Sequence, residues 1–186
     1  MPGHSLQELY VDELRDLYSA EMQIVKVLPK MAKATANTRL REEFEEHLRQ
    51  TSEQVGRLEQ IFELLGEKAF GSKCLGMEGL VKEGAEVMKE DYSENVRDAA
   101  LIGAAQRVEH YEIAAYGTVR SLAELLGENE HVTLLEQTLE EEKQTDQNLA
   151  ELSQEINPRA VQGEQGEGST SAAVQEGRSS KSNRAA

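Results

Sequence analysis

Residues 104–118 read AAQRVEHYEIAAYGT, and the rest of the fold can be worked outward from this stretch. In a helix each residue turns by about 100°, so positions three, four or seven apart share a face. Glu109 then lies seven after Ile102 and seven before Tyr116, while Glu112 lies seven after Ala105 and four before Tyr116. Both carboxylates therefore fall on the apolar stripe of their helix. Acids on a buried face need partners, so the reading turns on what the remaining helices bring to the same place.

Composition favours helices throughout. The chain has 186 residues, enough for one domain with a substantial core. It is rich in Leu, Ala, Glu and Gln, with 4% aromatic residues, no Trp and three Pro, which predicts an all-α class. No apolar run approaches the roughly 20 residues of a membrane span, so no membrane partner is expected. The N-terminus MPGHSLQELY has neither the basic nor the apolar part of a signal peptide. The single Cys74 excludes an internal disulfide, which suits a cytoplasmic location. A net charge of −15 argues against binding the phosphate backbone of a nucleic acid.

Four long segments carry helical periodicity. The first begins after Ser5, with Glu8 at the capping-box spacing, and runs through Tyr10, Leu14, Leu17, Ile24 and Leu28; Pro29 is expected to kink or end it. The second spans about Thr38 to Leu65, stopped by Gly66. The third starts near Ser93 and reaches Gly127; the fourth follows with Leu135, Leu139, Leu149 and Ile156, and Pro158 is expected to end it. The links near Ala36 and at Gly127 are short, so each joins antiparallel neighbours. The long connection from Glu67 to Tyr92 has its own apolar set, Leu75, Leu80, Val81, Val87 and Met88, and reads as a crossover carrying a short fifth helix. Two helical hairpins joined by one long crossover is the ferritin-like four-helix topology. The bundle is assigned to residues 1–157. Residues 158–186 lack Leu, Ile, Phe, Tyr and Met, carry a net +1, and are expected to be a disordered tail.

The other helices repeat what the opening stretch does. Glu21 lies seven after Leu14 and seven before Leu28. His47 lies seven after Leu40 and three after Phe44. Glu142 lies seven after Leu135, and Asp146 seven after Leu139. Five carboxylates and one imidazole thus face inward: Glu21, His47, Glu109, Glu112, Glu142 and Asp146. Any one alone could snorkel or make a single hydrogen bond. Together they need positive charge, and no Lys or Arg lies close enough along these stripes to supply it. Bound cations would, and hard oxygen donors with imidazole suit two iron or manganese ions, while zinc also accepts these donors. Tyr18, Tyr111 and Tyr116 read as packing residues, with Tyr116 one turn from Glu112; His110 falls at the rim, His4 and His131 look superficial, and Cys74 reads as a packed thiol.

The segments YVDELRDLYSAEMQIVKVLPKMAKA, FEEHLRQTSEQVGRLEQIF, KCLGMEGLVKEG, AAQRVEHYEIAAYGT and LLEQTLEEEKQTDQNL together resemble the YciE/YciF family of ferritin-like proteins, over roughly residues 5 to 156. The resemblance implies a di-metal centre, a dimer, and a role in bacterial or archaeal stress. The six inward residues match the family's inward set by position. The chain departs from the general ferritin-like pattern of Glu-x-x-His on two helices, because Phe44 stands three before His47 and the fourth helix offers no His. Two functions are expected to compete. One is a di-iron or di-manganese protein that reacts with peroxide or oxygen or oxidises Fe(II). The other is a non-enzymatic structural or interaction module whose bundle is metal-stapled or apo.

Overall fold

The computed structural model describes residues 5–179, with side chains described for residues 5–161. It is all-helical: α1 Leu6–Ala34, α2 Thr38–Leu65, α3 Leu75–Val87, α4 Glu94–Leu126 and α5 Asn129–Ser179. The helix ends follow local chemistry. The Ser5 hydroxyl accepts from the Glu8 amide at 3.1 Å and the Glu8 carboxylate accepts from the Ser5 amide at 2.6 Å, a complete capping box. Gly66 and Gly127 end α2 and α4 in the left-handed region, at φ 66° and 79°, a conformation that a Cβ makes costly.

Neither proline ends its helix. Pro29 lies inside α1 and Pro158 inside α5. Both prolines are exposed. Each deprives only one carbonyl, one turn back, of its donor, and on an exposed face water replaces it. The apolar residues Met31 and Ala32 beyond Pro29 are buried and anchor the last turn of α1 to the core. In α5 the last buried side chain among those described is Ile156, so the packed part of the helix ends close to where the sequence turns polar. Residues 180–186 of the expected tail, and His4, lie outside the described residues.

α1 with α2 and α4 with α5 form two antiparallel hairpins, and contacts of α1 with α4 and α2 with α5 close the bundle. The crossover helix α3 lies on α4 and α1. The turn between α1 and α2 is held by Asp98, which reaches across from α4. Its carboxylate accepts from the Thr35 hydroxyl at 2.6 Å and from the backbone amides of Ala36 at 3.0 Å and Asn37 at 2.8 Å. Asp98 lies seven residues before Ala105, so helical spacing alone could have placed it inward.

The core is divided. One apolar cluster gathers Ile24, Leu28, Leu40, Phe44, Leu101, Ile102, Leu149 and Ile156. A second gathers Tyr10, Leu14, Leu17, Leu58, Phe62, Tyr116, Leu135 and Leu139. Each long helix passes from one cluster to the other, and at that crossing stand Glu21 on α1, His47 on α2, Glu109 and Glu112 on α4, and Glu142 on α5.

Candidate metal centre

The polar layer between the two clusters is closed off from bulk solvent. Glu21, Glu109, Glu112 and Glu142 have no solvent exposure, and His47 is 2% exposed. His47, Glu109, Glu112 and Glu142 each offer one donor atom, and these four atoms lie within 4.8 Å of one another. Ligands on opposite sides of an ion bound at about 2.0–2.2 Å are about 4 Å apart, so a slight closing of these side chains would enclose one.

The layer's own hydrogen bonds leave many of its polar atoms unsatisfied. With the acids ionised, no described donor reaches either oxygen of Glu109 or Glu112, nor Glu21 Oε2 and Glu142 Oε2, and His47 Nε2 has no partner; a retained proton would join Glu112 to Glu21 and Glu109 to Glu142. His47 Nδ1 comes within 3.3 Å of Glu109 Oε1, and Nε2 within 3.6 Å of Glu142 Oε2, without hydrogen-bond geometry. Among the described residues, partners stand at the edges of the layer. Tyr116 donates its hydroxyl to Glu21 Oε1, Gln54 donates its amide to Glu142 Oε1, and the Thr51 hydroxyl caps the His47 carbonyl at 2.7 Å. Buried polar atoms are ordinarily paired, and so many orphans converging on one point fit a group with multiple positive charge.

Proton affinities say the same. Burial, then the Glu142 charge, pushes the Glu21 carboxyl up to about 8. Burial and Glu142 also hold Glu109 well above the ordinary carboxylate range, and burial, Glu142 and Glu21 do so for Glu112. Tyr116 is raised too, chiefly by burial and by the Glu21 charge. Without a cation these acids can stay buried only by keeping protons. The Arg57 guanidinium, whose charge acts on Glu21, is committed elsewhere: it forks onto Glu141 at 2.6 and 2.7 Å and reaches the Thr138 hydroxyl at 2.9 Å. Burial alone would raise Glu141, yet the Arg57 contacts hold it below its ordinary value.

Of the six inward residues, the structure therefore brings together His47, Glu109, Glu112 and Glu142, with Glu21 beside them. Asp146 stands apart at the rim. Its side chain is 26% exposed and bonds to Gln106 at 3.2 Å and His110 at 3.2 Å. His110 is exposed, as its position on the helix implied. His131 differs from expectation: it is buried at 3% exposure, stacked on Tyr10 with the Tyr10 hydroxyl 3.1 Å from its Nδ1. Its place four residues before Leu135 is the signal that would have found it. Gln54 was equally legible, seven residues after His47. Cys74 is a buried thiol that meets the Tyr111 hydroxyl at 3.0 Å.

Two antiparallel hairpins joined by a crossover, with carboxylates and an imidazole meeting at mid-height, define a ferritin-like bundle with a carboxylate-rich centre. The chain belongs to the YciF family, described as Domain of unknown function (DUF892), with residues 5–162 matched. It is 45% identical over 158 residues to protein YciF of Escherichia coli, covering 84% of this chain and 95% of that one. The crystal structure of the E. coli stress protein YciF superimposes with a TM-score of 0.78 at 46% identity, over 80% of this chain and 94% of that one. YcfI of Rhodopseudomonas palustris does so with a TM-score of 0.77 at 42% identity, over 79% and 94%. Among the described residues no helix is long and apolar enough to cross a membrane.

Proposed function

We propose that this protein is a stress-related, homodimeric di-metal protein that binds two iron or manganese ions and reacts with peroxide or oxygen, or oxidises Fe(II). The observation that carries this reading is the set of orphaned donor atoms, contributed by all four long helices, in a buried layer. His47, Glu109, Glu112 and Glu142 would surround one position, and Glu21, whose carboxyl feels both Glu142 and Glu112, would complete a second. Two redox-active ions held side by side would supply a shared exchange of electrons with a small oxidant. The protein's own share is to exclude water, orient Glu142 through Gln54, and keep the Tyr116 hydroxyl on Glu21. The stress role rests on the relative described as a stress protein.

The test is aerobic addition of Fe(II), with and without peroxide, to protein stripped of metal. Oxidation faster than in buffer, saturating near two irons per chain, is the expected result. Bound metal with no oxidation above the buffer rate would leave the centre as a staple for the bundle. No bound metal, and melting unchanged by chelator, would leave an apo structural module.

A further inference from the structure

The seam between α4 and α5 brings solvent-exposed polar side chains close to the centre. There the Asp146 carboxylate lies 3.2 Å from His110 Nε2, which is 69% exposed on its side chain. Gln106 steadies the other Asp146 oxygen at 3.2 Å. Helical register ties these groups to the buried layer. Asp146 stands one turn after Glu142, Gln106 three residues before Glu109, and His110 directly after it. Just inside, Glu109 is wholly buried, with neither oxygen reached by a described donor when the acids are ionised, and the Asp146 charge is among those that raise its proton affinity, after burial and Glu142.

The neighbouring seams are closed by comparison. Across α2 and α5, Arg57 is forked onto Glu141, and Gln54 bonds to both Glu141 and Glu142. Across α1 and α4, the Tyr111 hydroxyl donates to Asp16 at 2.7 Å and meets Cys74 at the start of α3. A cation moving from water to the buried layer must exchange water ligands for protein ligands, and the exchange is easiest where a half-exposed donor precedes a buried one.

We propose that Asp146 and His110 form the port through which a divalent cation reaches the centre, Asp146 serving as a transit ligand that passes the ion to Glu109. This rests on the metal reading of the buried layer. Asp146 is thus a loading residue and not part of the final shell. His110, paired with the carboxylate, keeps it turned outward until an ion displaces the imidazole. No bond is made or broken except coordination to the ion.

The experiment uses Co(II), whose visible absorption reports its entry among nitrogen and oxygen ligands, mixed rapidly with full-length protein stripped of metal. Wild type is compared with Asp146→Asn, His110→Gln and, as a control for surface charge, Glu140→Gln. Asp146→Asn is expected to load about tenfold more slowly at low salt, with the final absorption and half-saturation unchanged within about twofold. His110→Gln should also be slowed, and Glu140→Gln should load as wild type. Loading of Asp146→Asn at the wild-type rate would overturn the port. So would loss of its final absorption or half-saturation, which would make Asp146 a resident ligand. Equal slowing in Glu140→Gln would reduce the effect to net charge and overturn it as well. Wild-type protein that takes up no cobalt would remove the centre itself, an outcome distinct from a failure of the port alone.

Discussion

The Tyr116 hydroxyl donates to Oε1 of Glu21 across the α1–α4 seam, and both side chains have no solvent exposure. Glu21 has its carboxyl pushed up to about 8 by burial and the Glu142 charge, so the metal-free centre holds protons at neutral pH. Metal can bind only as those protons leave. Titrating Mn(II) or Co(II) into weakly buffered, metal-free protein at pH 7 should therefore release about one proton or more per centre. Release should diminish as the starting pH is raised through about 9, where Glu21 is already ionised. Uptake without proton release at pH 7 would contradict the raised carboxyls.

Glu112 costs the metal-free bundle stability, because its carboxyl is wholly buried and crowded by the charges of Glu142, Glu21 and Glu109. Glu112→Leu removes that penalty at similar volume. The metal-free variant is expected to be more stable than metal-free wild type by about 1–3 kcal/mol in urea unfolding. It should bind less metal by elemental analysis. A variant that unfolds earlier than wild type would mean that the carboxyl has a structural partner instead.

Asp98→Ala should do the reverse. The carboxylate serves the Thr35 hydroxyl and two backbone amides of the α1–α2 turn. Removing it orphans all three donors at a site where Asp98 and Thr35 are buried. The expected cost is roughly 3 kcal/mol. Metal content should be unchanged, because Asp98 belongs to one end of the bundle and not to its middle.

His131 gives the fold an acid sensitivity that has nothing to do with the centre. Burial lowers its proton affinity in the folded state, although Glu128 and Glu130 pull the other way. The unfolded chain then binds the proton more tightly than the folded one. The contribution to stability is complete above the ordinary imidazole range and is lost as pH falls through it. Comparing His131→Gln with wild type, the difference in melting temperature should shift in favour of the variant between about pH 7 and pH 5. Parallel curves would show that His131 does not titrate on unfolding.

Much of this was legible from spacing. The helix count, the hairpin pairing, the crossover helix, and the caps at Ser5, Gly66 and Gly127 follow from local rules, because each depends on residues within a turn or two. The inward faces of Glu21, His47, Glu109, Glu112 and Glu142 followed from a period of 3.6, which every helix in a bundle must respect. The same rule could have found Gln54, Asp98 and His131. As helix ends the prolines misled, because their cost depends on exposure, which a one-dimensional pattern does not report.

The sequence by itself determined which side chains turn away from water, since a helix leaves each residue no choice of direction. Only the tertiary structure decided which of them meet. Asp146 has as good a register as Glu142, yet it ends at the rim beside His110, because distance between helices is set by packing and not by period. The split of the core into two apolar clusters, with the acids stranded between them, likewise exists only once all four long helices are in place.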